Sequence, residues 1–327
     1  MAAAFLGAML LSALFTWLVR LHVVATDLRQ TVRSDGPESH LQKMGTPTLG
    51  GVGMMAALIV VTMILLAAGV IVWRQAVLPA LGLTLAYAAI GFADDYSKLR
   101  YKRPLGLKAR LRLPLEFLLA AGYAVLLVHS GLLGRASGAA QIIPLGGGVL
   151  WIAFATLVIV GASNAVNLTD GLDGLAAGVS CLCALGVGVA CFLLDRPELA
   201  LWAVALAGVC AGFLWLNTPP ASIFMGDVGS LGLGAALAAI AVAARIELLF
   251  ALFGIIFVIE ALSVIIQVVY FRATGGRRVF RMAPYHHHLE LGGLPETKIV
   301  FRFWLITMAG AALGIALVAL LVPWMRL

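Results

Sequence analysis

Residues 76–112 read A-V-L-P-A-L-G-L-T-L-A-Y-A-A-I-G-F-A-D-D-Y-S-K-L-R-Y-K-R-P-L-G-L-K-A-R-L-R. Residues 76–93 carry no charge; the run stops at Asp94-Asp95, and seven Lys or Arg follow by Arg112. A helix that crosses a bilayer needs about 20 mostly apolar residues, so this pattern predicts a spanning helix ending at water. Working outward, the same reading predicts nine more spans, at approximately 2–21, 50–72, 113–133, 149–166, 174–194, 199–216, 229–244, 248–270 and 301–323. The expected fold class is an all-α polytopic membrane protein with ten transmembrane helices. The run 229–244 is short, but Gly232 and Gly234 permit close helix packing. The glycine-rich stretch 134–148, with Pro144, reads as a short loop or hairpin.

Composition agrees. Of 327 residues 62% are hydrophobic and 11% charged, with a mean hydropathy of +1.06. An average soluble domain is about 45–50% apolar and about 25% charged. A soluble globular enzyme, a disordered chain and a disulfide-stapled secreted scaffold are therefore excluded. Cys181, Cys183, Cys191 and Cys210 all lie in apolar runs without metal-site spacing and read as buried thiols. The N-terminal run lacks a basic flank before Arg20, so it reads as a first span rather than a cleaved signal.

The net charge of +7 points to basic loops beside anionic lipid, not to nucleic acid. With the N-terminus placed outside, the odd-numbered loops hold seventeen of the 22 Lys and Arg; the even-numbered loops and the C-terminus hold five. The positive-inside rule then puts the odd loops in the cytoplasm and both termini outside. The motif-like polar segments all fall on the cytoplasmic side. That suits an enzyme at the inner membrane face, whereas a transporter more often places ionisable groups near the midplane.

Asp94 and Asp95, at the end of the third span, point about 100° apart if helical. One can act as base while the other orients a cation or lysine; alternatively they are a helix-terminal pair answering the basic loop. In N-A-V-N-L-T-D-G-L-D-G (164–174), Asn167, Asp170 and Asp173 share a face if helical, and can hold hydrated Mg2+ or hydrogen-bond a sugar or base. The bland alternative is a polar turn. In N-T-P-P-A-S-I-F-M-G-D-V-G-S (217–230), Pro219-Pro220 end the seventh helix. Asp227 is either an N-cap or a metal ligand at a helix N-terminus, and Phe224 either a core residue or a nucleobase platform. In K-M-G-T-P-T-L-G-G (43–51), Thr46-Pro47 reads as a helix start, while Lys43 and the glycines also suit phosphate; no P-loop pattern is present. His286-His287-His288 cannot all bind one ion from a regular helix, but imidazoles can donate to a diphosphate or shuttle protons. The basic run 272–281 reads as a membrane-surface patch, a phosphate site, or both. Glu260 and Gln267 are intramembrane polar groups that pair structurally or mark a helix break. One reaction class gathers these pieces: phosphoryl transfer from a nucleotide-linked donor to a lipid phosphate.

The segments R-S-D-G-P-E-S-H-L-Q-K-M-G-T-P-T-L-G-G, F-A-D-D-Y-S-K, N-A-V-N-L-T-D-G-L-D-G-L, I-F-M-G-D-V-G-S-L and M-A-P-Y-H-H-H-L-E-L, in order over about residues 30–304, closely resemble the MraY family. These are phospho-N-acetylmuramoyl-pentapeptide transferases, within the polyprenyl-phosphate N-acetylhexosamine-1-phosphate transferase superfamily. The triple histidine separates this family from its relatives. The resemblance implies one integral membrane transferase domain over residues 1–327, in the bacterial plasma membrane. It implies transfer of phospho-MurNAc-pentapeptide from UDP-MurNAc-pentapeptide to undecaprenyl phosphate, giving lipid I and UMP for peptidoglycan synthesis. Mg2+ and a homodimer are expected. By matching positions it implies that Asp94 and Asp95 are catalytic and that Asp227 is the Mg2+ ligand. Lys43, Thr48, Asn167, Asp170, Asp173, Asn217 and Phe224 are implied to bind the substrate, with Phe224 under the uracil. His286, His287 and His288 are implied to lie beside the diphosphate. Lys98 and Lys102 match basic residues after the aspartate pair. The chain departs from the family at Leu105, where Lys is common; Arg110 and Arg112 stand nearby. The rival readings are a sister transferase using UDP-GlcNAc and, in a different class, a lipid or nucleotide-sugar transporter.

Overall fold

The computed structural model describes residues 1–26, 45–73, 75–101, 106–133 and 148–325. Lys43, Lys102 and the stretch 134–147 lie outside them. The regular elements among the described residues are all helices: α1 (Ala2–Ala25), α2 (Gly50–Ala67), α3 (Val77–Tyr101), α4 (Ala109–His129), α5 (Val149–Thr169), α6 (Leu175–Leu193), α7 (Pro197–Asn217), α8 (Gly226–Ala243), α9 (Glu247–Phe253), α10 (Ile255–Ala273), α11 (Tyr285–Glu290) and α12 (Glu296–Met325). Ten are long and apolar enough to cross a membrane; α9 and α11 are too short.

The centre of the bundle is α8. Every residue from Val228 to Ala243 is buried, because the sequence there is almost entirely glycine, alanine and small aliphatics. Small residues let helix backbones approach closely, which is how helices associate where lipid removes the hydrophobic drive. Gly234 lies against the backbone of Ser163 on α5, and Gly229 against Gly51 on α2. Gly91 on α3 lies against the backbone of Asp227. At each of these contacts a Cβ has no room. The outer helices present the opposite character: Leu6, Leu10 and Leu14 of α1, Ile265 and Val269 of α10, and Leu305 and Leu313 of α12 are exposed as a lipid-facing surface.

Five sequence expectations are corrected. The span expected at 248–270 is two helices, α9 and α10, broken at Gly254 (φ −103°, ψ 32°). Hydropathy reads through a glycine, but Phe253 packs on Gly186 and Gly314 and holds the bend. The third span does not stop at Asp94: α3 continues to Tyr101, because Lys98 bridges back to both aspartates and Lys98 and Arg100 suit the negative end of the helix dipole. Asn167, Asp170 and Asp173 do not share a helical face, since α5 ends at Thr169. Thr46-Pro47 does not start α2, which begins at Gly50 after Leu49 in a left-handed conformation. Asp227 is not an N-cap; it lies inside the first turn of α8, after Met225 and Gly226.

These elements put the polar motifs together. The C-terminal ends of α3 and α5, the N-terminal ends of α2 and α8, and α11 meet at one end of the bundle, joined by Lys98–Asp227, Gly50–Phe224 and Gly171–His286 contacts. The other end is tied by Arg196, which donates to the carbonyls of Ala243 and Leu132, and by Arg245 stacked 4.7 Å over Trp151. Beside it, burial raises the pKa of Glu247 and lowers that of Arg245. The four cysteines are free thiols, three of them buried.

Candidate active site

Asp94 and Asp95 come from α3 and Asp227 from α8, and one carboxylate oxygen of each lies within 4.8 Å of the others. They meet because Gly91, one turn earlier, lets α3 touch the backbone of α8 at Asp227. Each acid has its own holder. Asp94 Oδ1 accepts from the backbone N–H of Leu107 (2.6 Å), Asp95 Oδ2 from that of Val228 (3.1 Å), and Asp227 Oδ1 from Asn167 Nδ2 (2.8 Å). Asn167 also donates to Ser230 Oγ, so α5 and α8 are locked where Asp227 emerges. Gly226, with φ +74°, carries the chain into α8; a side chain there would meet Asp95 and Thr48.

Lys98 is the central cation. Its Nζ lies 2.7 Å from Asp94, 2.9 Å from Asp227 and 3.6 Å from Asp95. Counted as ionised, three carboxylates against one ammonium give the cluster a formal charge of −2. Arg112 approaches Asp227 at 3.7 Å, but its charge is matched by Glu116 at 3.1 Å. Hard carboxylate oxygens from separate elements with two uncompensated negative charges are what a small divalent cation requires. The donor set therefore fits a divalent metal held by Asp227 with Asp94 and Asp95 in reach.

Asp170, the residue that closes α5, feels the same field. Its burial, and then the negative charges of Asp227, Asp95 and Asp173, push its pKa up to about 7. The following Gly171 is the seat of the buried His286 ring, which packs where a Cβ would stand. The histidine helix is thereby brought to the edge of the acidic cluster.

The three histidines have three surroundings. His286 is buried against Gly171, with Nδ1 3.2 Å from Glu260. His287 Nδ1 lies 2.7 Å from Glu290. His288 Nδ1 accepts from the backbone N–H of Arg281 and its ring stacks on Tyr285. Glu260 and Gln267 pair structurally. Glu260 accepts from the backbone N–H groups of Tyr285 (2.7 Å) and His286 (3.2 Å), where α11 begins. Gln267 accepts from Val279 and Phe280 and donates to the carbonyl of Phe280. Replacing Glu260 by alanine is expected to free the start of α11. A charged hydrogen bond contributes about 1.5–3 kcal/mol, so amide exchange at Tyr285 and His286 should quicken roughly 10- to 100-fold, measured by hydrogen-exchange mass spectrometry.

The remaining expected substrate residues divide by environment. Thr48 is buried, with its hydroxyl beside Gly226. Phe224 is half-buried, and its backbone is pinned to Pro47 and Gly50. Asn217 and Asp173 are buried and serve backbone groups: Asn217 accepts from Gly174 and donates to Ile223, and Asp173 accepts from Ala221. They shape the loops that carry Asp170 and Phe224. The sequence reading missed Glu116, Asn164 and Ser230 as partners of the site, and Glu296, which accepts from the backbone N–H of Asp173 at 2.6 Å. An acid at 116 inside an apolar span was the available signal.

Glycosyl transferase family 4 matches residues 77–245, a range that contains the three aspartates. The chain is 48% identical over 300 residues to the phospho-N-acetylmuramoyl-pentapeptide-transferase of Pelotomaculum thermopropionicum, covering 88% of each protein. It is 47% identical over 298 residues to the enzyme of that name from Moorella thermoacetica, covering 89% of this chain and 90% of the relative. With that of Corynebacterium urealyticum it shares 40% over 361 residues, covering 97% and 95%. With these relatives matched along nearly their whole length, and with the aspartates and histidines brought to one end of a ten-span bundle, the chain belongs to the phospho-N-acetylmuramoyl-pentapeptide transferase family.

Proposed function

We propose that the protein transfers phospho-MurNAc-pentapeptide from UDP-MurNAc-pentapeptide to undecaprenyl phosphate, releasing UMP and forming lipid I. It does so as a single multi-pass domain of the bacterial plasma membrane. The observation that carries this reading is the meeting of three aspartates with Lys98 at the end of the spanning helices, where a soluble nucleotide and a lipid phosphate can both arrive. The uneven distribution of Lys and Arg supports a cytoplasmic position for that end and an outer position for both termini.

Asp227, with Asp94 and Asp95 beside it, would hold Mg2+. When bound, Mg2+ supplies positive charge that shields the donor diphosphate and stabilises the leaving phosphate. Lys98 and Arg112, with Lys43 and Lys102 by family resemblance, bind phosphate oxygens. Asp94 or Asp95 orients the lipid phosphate and takes up its proton. A lipid phosphate oxygen forms a bond to the sugar-linked phosphorus, the bond from that phosphorus to the UMP oxygen breaks, and UMP leaves. His287 donates to the diphosphate from α11, while His286 seats that helix on Gly171 and His288 ties it to Arg281. Phe224 lies under the uracil, and Thr48 and Asp170 also serve the donor; Asn217 and Asp173 shape the loops that carry Asp170 and Phe224.

The test is purified protein with UDP-MurNAc-pentapeptide, undecaprenyl phosphate and Mg2+, scored for UMP and lipid I. Product from UDP-GlcNAc but none from the muramoyl donor would overturn the substrate assignment. Chelation with EDTA is expected to lower the rate at least about 100-fold, with recovery on excess Mg2+; an unchanged rate would remove the metal from the mechanism.

A further inference from the structure

We propose that Glu116, a carboxylate sunk in α4, is a positioning residue that works with Asn164 to aim Arg112 at the phosphate in the aspartate cluster. This rests on the phosphotransferase reading above. The observation is a closed triangle of side chains behind the site. Arg112 Nε lies 3.1 Å from Glu116 Oε1. Arg112 Nη2 donates to Asn164 Oδ1 at 2.9 Å. Asn164 Nδ2 donates to Glu116 Oε2 at 2.5 Å. Nη2 is thus held by a hydrogen bond to Asn164 and Nε by an ion-pair contact with Glu116 that lacks hydrogen-bond geometry, and Nη1 remains on the side of Asp227, at 3.7 Å.

A carboxylate in an apolar spanning helix is costly, and a buried ion pair is weak support for stability, since an apolar replacement often packs as well. Glu116 is fully buried, so stability alone does not account for it. Its turn of α4 is also fixed, because Tyr87 donates its hydroxyl proton to the Glu116 carbonyl at 2.6 Å. What the triangle provides is direction and charge balance. Held from behind, Arg112 keeps a rigid fork toward the cluster, the arrangement in which arginine recognises phosphate best. Its charge is cancelled by Glu116, so the three aspartates keep the negative charge that a divalent ion needs. Without Glu116 the guanidinium is free to close the gap to Asp227 and neutralise that ligand instead.

The test is a double-mutant cycle on the purified full chain in the lipid I assay. Arg112→Ala should lower kcat about 100-fold, as for loss of a preorganised charge donor. Glu116→Gln, which keeps the shape, should lower kcat about 10-fold, with the donor KM within about 3-fold of wild type. In the Arg112→Ala background, Glu116→Gln should change kcat by less than about 2-fold, because the residue acts through Arg112. Equal fractional losses in both backgrounds would overturn the proposal, as would an unchanged kcat in Glu116→Gln. Failure of Glu116→Gln to fold would assign the carboxylate to structure alone and equally overturn it. A wild-type protein that makes no lipid I sinks the transferase reading; an active wild type with additive effects sinks only the positioning role.

Discussion

Asp227→Asn is expected to lower lipid I synthesis about 1,000-fold while leaving the protein folded. The scale is that of removing preorganised charge from where it acts in the transition state. The substitution is nearly isosteric. Its remaining oxygen can still accept from Asn167, which holds Asp227 at 2.8 Å, and Lys98 keeps its 2.7 Å contact with Asp94. The structural cost is therefore one charged hydrogen bond, about 1.5–3 kcal/mol, in a bundle whose α8 is buried along nearly its whole length. The chemical cost is larger, because the cluster loses one formal negative charge and the group between Lys98 and Arg112 becomes neutral. UMP release and thermal unfolding measured on the same preparation separate the two effects. Full activity in a folded variant would reject a metal role for Asp227.

Gly91→Val tests the geometry rather than the charge. A Cβ at Gly91 would enter the backbone of Asp227, so α3 and α8 have to separate. Overpacking of this kind costs about 1–3 kcal/mol. The separation also pulls Asp94 and Asp95 away from Asp227, and misplacement of about 1 Å at a reacting centre costs about 100-fold in rate. The control is Gly82→Val on the same helix, where a Cβ meets nothing within 4 Å; it is expected to retain wild-type turnover. If Gly91→Val works at the wild-type rate, the contact between the helices is not what assembles the site.

Much of this architecture was legible from local pattern. Ten apolar runs give ten spanning helices, because in lipid a segment must satisfy its own backbone and only its length and hydropathy matter. Glycines at 232 and 234 marked a closely packed helix, and Asp94, Asp95, Asp227 and the histidines stood out as polar residues bounded by apolar spans. Glu116 did not stand out, although it too is an acid in an apolar segment, because its partners Arg112 and Asn164 are split between α4 and α5. The break at Gly254 was invisible for a similar reason: the residue that holds it, Phe253, packs on glycines 186 and 314 in distant helices.

The amino-acid string alone thus determined class, span number and the inventory of reactive groups, since hydropathy and side-chain chemistry are properties each residue carries with it. Only the folded bundle decided that α3 and α8 touch at Gly91, that α5 ends at Thr169 so that Asp173 turns to support a loop, and that His286 seats on Gly171. Those outcomes depend on which surfaces have room for one another, and room is a property of pairs of helices that no single stretch of chain contains.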